Sequence, residues 1–168
     1  MPWKTTLERA EEDKREGKAP ATQAGEFVKE EMEHIRRGKH GAANTKQAIA
    51  IGLSKARRAG VDLPPPKKGR TSQKTRKSAE SAYRKGHSSA QKKKPSRKRS
   101  RAIEGALKRM PRKAASKKAL SKHAHDAAKR RGSTSRKKAA QKAVRTRGAA
   151  ARKRAAQKAA ATREKRAA

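Results

Sequence analysis

The sequence predicts a mostly α and disordered protein: short N-terminal helices including a helical hairpin, followed by a long basic low-complexity tail with helix-forming potential. Three observations carry this. Large apolar side chains are scarce, with one Trp, one Tyr and one Phe in 168 residues. A chain so poor in them cannot bury enough surface to offset the backbone ordering entropy, about 1–2 kcal/mol per residue. Apolar residues recur at helical spacing mainly between residues 22 and 59. Charge is divided unevenly: residues 1–66 hold 13 Lys+Arg against 10 Asp+Glu, whereas residues 67–168 hold 38 against four (Glu80, Glu104, Asp126, Glu164).

The expected organisation has four parts: an N-terminal helix in 1–20, a helical hairpin in 21–62, a Pro/Lys/Ser-rich disordered linker in 63–101 and an Ala/Lys/Arg-rich tail in 102–168. In the first part, Thr5-x-x-Glu8 fits a capping box, Trp3 and Leu7 sit beside it, and Gly17 is a stop. The hairpin's first helix runs from about Thr22 to Arg37, with Phe27, Val28, Met32 and Ile35 on one broad face and Gly38 at its end. Its second helix starts at Asn44 or Thr45 as N-cap and reaches about Ala59, with Gly60 following. Ile49, Gly52, Leu53 and Ala56 form its apolar stripe. Gly52 either lets the two backbones approach closely or weakens the helix by about 1 kcal/mol. Alone, a hairpin of this size is marginal.

Pro64-Pro65-Pro66 marks the boundary, favouring an extended spacer without amide donors. Beyond residue 102 alanine rises, and the pattern basic–basic–Ala–Ala–polar–Lys recurs at Arg112, Lys137 and Lys153 without a fixed period. Ala, Lys, Arg and Gln favour helix. Like charges at i, i+3 and i, i+4 oppose it until an anion neutralises them.

Two resemblances follow from these residues. The tail resembles the basic tails of linker histones and bacterial histone-like proteins, which implies DNA condensation. Gly25-Glu-Phe-Val-Lys-Glu-Glu-Met-Glu-His-Ile-Arg-Arg-Gly-Lys-His-Gly41, with Asn44-Thr-Lys-Gln-Ala-Ile-Ala-Ile-Gly-Leu-Ser-Lys-Ala-Arg-Arg58, resembles a small bacterial domain family of the DUF6496 type. The recurring core of that family reads roughly E-F-x-x-G-K-L … K-Q-A-I-A-I-A-L-S-x-A. Gly52 stands where that core has alanine. The resemblance implies a bacterial source and no particular chemistry.

Enzymatic chemistry is not expected. There is no cysteine, no Gly-rich phosphate loop and no core to hold a catalytic triad. Glu11-Glu12-Asp13 and Glu30-Glu31 read as helix-surface charge balance beside Lys14, Arg15 and Lys29. His123-Ala-His125-Asp126 suggests a metal, but i, i+2 histidines do not share a helical face, so no metal and no cofactor are expected. No signal peptide or membrane span is apparent, and a cytoplasmic, nucleoid-associated location is expected.

A formal net charge of +37 points instead to a polyanion. The expected function is non-specific DNA binding of the histone-like, nucleoid-associated kind. The expected contacts are Lys92, Lys93, Lys94, Arg97, Lys98, Arg99, Arg101, Lys117, Lys118, Arg130, Arg131, Arg136, Lys137, Lys138, Arg152, Lys153 and Arg154. RNA or ribosome association is the alternative, as is an adaptor whose residues 21–62 self-associate or hold a protein partner while the tail tethers it. Sequence reading by Thr45, Lys46 and Gln47 at a helix N-terminus, or base stacking on Tyr83, are lesser possibilities.

Overall fold

The structure, a computed structural model, describes residues 2–88, 96–146 and 149–167. Among them are eight α-helices, one short 3-10 helix and no strand. The chain divides into two units, residues 1–123 and 124–168.

In the first unit α1 is Lys4–Arg15, α2 Pro20–Arg36 and α3 Thr45–Arg58. The expected capping box is not formed: Trp3 is the N-cap of α1 and gives no side-chain cap bond. Its backbone amide is tied instead to Glu30 on α2. Gly17, Gly38 and Gly60 take positive φ just beyond the ends of α1, α2 and α3. Pro20 occupies the first turn of α2. Asn44 caps α3 as expected, its side chain accepting from the Gln47 amide at 2.9 Å.

Helices α2 and α3 pack antiparallel as two apolar layers. Ala24 and Phe27 meet Ala56, together with Ala10 and Val61, and Leu53 and Leu63 pack on them. Toward the loop, Met32 and Ile35 meet Ala48, flanked by Val28 and Ile49. Gly52 sits where the helices approach closely: a Cβ there would lie 2.7 Å from Val28 Cα. Of the two roles the sequence allows this glycine, close approach is the one realised.

The expected disorder after residue 62 is not what the structure holds. Helix α4 (Gln73–His87) is capped by Ser72 and packs on α3 through Ala79 and Ala82. Gly86 comes so close to the Arg57 carbonyl that a Cβ would collide with it. Arg57, buried, donates to the Leu63 carbonyl at 3.0 Å and the Pro64 carbonyl at 3.3 Å, which fastens the proline run to the end of α3. Helix α5 (Arg97–Lys108) leads to the 3-10 helix Arg112–Ala115, and Ala114 and Ala115 are buried within the same core cluster as Met32 and Ile35. The Gly41 amide donates to the Leu107 carbonyl and the Ala42 amide to the Pro111 carbonyl. Part of the basic tail is therefore core of the hairpin unit. Alanine does this because it buries surface on folding with almost no side-chain entropy cost.

Helix α6 (Lys117–Arg130) runs across the division between units. In the second unit, α7 is Gly132–Thr146 and α8 Ala149–Ala167. Their described side chains are exposed. Their composition of Ala, Lys, Arg and Gln carries high intrinsic helix propensity.

Candidate functional site

The expected phosphate-binding residues divide as follows. Lys92, Lys93 and Lys94 lie outside the described residues, as does the Arg152 side chain. Arg97, Lys98, Arg99 and Arg101 occupy the first half of α5 and are exposed. Lys117 and Lys118 begin α6, Arg130 ends it and Arg131 follows in the turn, all exposed. Arg136, Lys137 and Lys138 lie on α7, and Lys153 and Arg154 on α8, all exposed. The Glu104 carboxyl pairs with Lys108 at 2.9 Å, and that contact holds it below the usual carboxylate range.

The polar face of α3 is largely spent on internal contacts. Thr45 is buried and donates its hydroxyl to the Ala114 carbonyl at 2.8 Å. Gln47 accepts from the Ala43 amide. Arg57 holds the proline run, and Arg58 donates to Ser54. Lys46 is exposed at the rim of a groove of about 700 Å³ between α3 and α4, which Lys74, Thr75 and His123 also line. Tyr83 is engaged too: its hydroxyl donates to Asp62 at 2.7 Å, which raises its pKa, and its ring stacks on His87.

The concentrated chemistry lies elsewhere, inside the hairpin. Glu30 and Glu31, expected on the surface, are buried at 2% and 0% exposure. The cause is that α2 is covered on two sides, by α3 and by the Trp3 segment, while the Gly38–Asn44 loop folds back over it. Lys55 on α3 brings its ammonium 2.6 Å from Glu31 Oε2 and 3.9 Å from Glu30 Oε1. His40 in the loop places Nε2 3.3 Å from Glu31 Oε1. His34, one turn after Glu30, lies 3.7 Å from it and meets the Trp3 ring edge-on at 4.8 Å. Arg37 and Lys39 lie over the Trp3 ring. Burial, then Lys55 and Lys39, push the His34 pKa down, against the pull of the two glutamates. Residues 20–68 match the model of a family of unknown function, DUF6496.

The matched segment holds every titratable member of this cluster and omits Trp3, which packs on it. No curated protein and no solved structure matches the chain. The cluster escaped sequence reasoning because its members arrive from three places: one helix, its neighbour and the loop. A signal was present in the spacing, since Glu30 and Glu31 lie four and three residues before His34 and so share its helical face. Among the described residues, the groups that converge closely enough for an ion are Glu31, His34 and His40, rather than the His123–Asp126 run.

Proposed function

We propose that this chain binds nucleic acid, in the first place DNA, by neutralising backbone phosphates without reading base sequence, in the manner of a histone-like, nucleoid-associated protein. The observation that carries this is the charge of residues 67–168, 38 Lys+Arg against four Asp+Glu. Exposure of the described cations from Arg97 onward named above supports it, because an exposed array of like charge on one helix repels itself until an anion intervenes. Non-selectivity is supported by the state of α3: of Thr45, Lys46 and Gln47, Thr45 is buried in its bond to Ala114 and Gln47 is engaged with the Ala43 amide, which leaves Lys46 alone exposed among the three.

The test is retention of full-length protein on random-sequence duplex across a salt series. Ten phosphate contacts correspond to a slope of about −9 in log K against log salt. A salt-independent affinity, or none, rejects the reading. Release of the protein from native lysate by DNase but not RNase assigns the polymer, and the reverse result replaces DNA with RNA.

A further inference from the structure

We propose that Glu31, His34 and His40 form a site for one divalent transition-metal ion of the zinc class. One carboxylate oxygen and one ring nitrogen from each histidine lie within 4.8 Å of one another. Tetrahedral zinc with bonds of about 2.0–2.2 Å holds its ligand atoms about 3.3–3.6 Å apart. Glu31 Oε1 and His40 Nε2 are already 3.3 Å apart. Two imidazoles and one carboxylate suit Zn(II), Co(II), Ni(II) or Cu(II), whereas Ca(II) and Mg(II) require more oxygen ligands.

The orphaned atoms point the same way. Both Glu31 oxygens and His34 Nε2 are buried with no hydrogen-bond partner. Lys55 Nζ, 2.6 Å from Glu31 Oε2, answers that oxygen with its charge, and an ion bound at the site would displace it. Buried polar atoms are normally satisfied, and those left without a hydrogen bond here belong to residues whose ligand atoms lie within 4.8 Å of one another.

The histidines are prepared for it. His40 Nδ1 lies 3.1 Å from the Gly41 carbonyl, and in the neutral ring this nitrogen donates there. Its Nε2 lone pair then faces Glu31, the arrangement by which backbone carbonyls orient metal-bound imidazoles. His34 Nδ1 lies 3.5 Å from Lys55 Nζ, the ammonium that the ion would displace.

The charges facing the site are Glu30, Glu31, Lys55 and Lys39, with Arg37 beyond the Trp3 ring. Two buried carboxylates against the one partly exposed ammonium of Lys55 leave an excess negative charge that a cation offsets. The ion would clamp the loop to α2 through His40, next to Gly41, where the Leu107 carbonyl docks. Metal occupancy thus bears on how firmly the later segment is held. None of this depends on the nucleic-acid reading.

Trp3, the sole tryptophan, touches His34 and reports the site. Metal-stripped full-length protein is titrated with Co(II) and then Zn(II). Expected are a 1:1 complex, Trp3 quenching, a tetrahedral Co(II) visible band displaced by Zn(II), and broadening of the His34 and His40 imidazole proton resonances. His40→Asn weakens binding by at least about tenfold with an unchanged circular dichroism spectrum, and Glu31→Gln does the same. The double change His123→Asn/His125→Asn leaves it intact. Absence of saturable binding overturns the proposal, as does affinity unaffected by His40→Asn. Broadening confined to His87, His123 and His125 overturns it too, in wild-type protein and independently of any variant's folding.

Discussion

Thr45 donates its hydroxyl to the Ala114 carbonyl at 2.8 Å, a buried bond that spans 69 residues of chain. Beside it Arg36 donates to the Ala115 carbonyl at 2.9 Å, and Ala115 itself is wholly buried. The cap end of α3 and the last turn of α2 are therefore completed by a piece of the basic tail. Ala115→Leu adds three carbons to a filled space, so it is expected to destabilise the first unit by about 2 kcal/mol. Urea unfolding checks this. If residues 102–168 were a free tail, the same change would leave the midpoint unmoved.

Gly52 and Gly25 make a matched pair. A Cβ at Gly52 meets Val28 backbone at 2.7 and 3.0 Å, while one at Gly25 meets nothing within 4 Å. Both glycines lie inside helices, where alanine is favoured by about 1 kcal/mol. Gly25→Ala is therefore expected to stabilise by roughly that amount. Gly52→Ala carries an overpacking cost of about 1–3 kcal/mol, which outweighs the propensity gain. Opposite shifts in thermal midpoint are the expected result, and two shifts of the same sign would refute the close approach of α2 and α3.

Phe27, Met32, Ile35 and Ala56 could be read from the sequence because one helix's spacing places each of them, and Asn44, Gly38 and Gly60 because capping is local chemistry. Ala114 and Ala115 could not. A pair of alanines amid lysines carries no periodic signal, and its burial depends on Gly41 and Thr45 some 70 residues away. The same limit hid the ion cluster. Adjacent glutamates on a helix surface look alike whether exposed or buried, and only the partner helix and the returning loop decide it. Nothing local in the sequence marks Lys55 as the counter-charge of two buried acids.

That pairing predicts the effect of removing Lys55. Lys55→Met keeps the stem and deletes the ammonium, leaving Glu30 and Glu31 buried with like charge. Deleting one partner of a buried ion pair costs about 3–5 kcal/mol, and Lys55 is partly open to solvent, so about 3 kcal/mol is expected. Adding Glu31→Gln to Lys55→Met should restore part of the loss. A double-mutant cycle by denaturant unfolding checks the coupling. Strict additivity of the two changes would mean that the pair does not interact.

His34 gives the first unit a pH dependence of defined sign. Burial and the nearby ammoniums of Lys55 and Lys39 hold its folded pKa below the ordinary 6.5, while Glu30 and Glu31 oppose them less strongly. The unfolded chain then takes up a proton at a pH where the folded chain does not, so acid favours unfolding. The stability this group contributes is complete above the unfolded value. It declines as pH falls below 6.5 toward the folded pKa. Thermal midpoints measured without added metal should hold level above neutrality and fall through the mildly acidic range. His34→Gln, which cannot protonate, should flatten that part of the profile whatever it does to absolute stability. A midpoint that rises on acidification through the same range would mean that the two glutamates, not burial, govern this histidine.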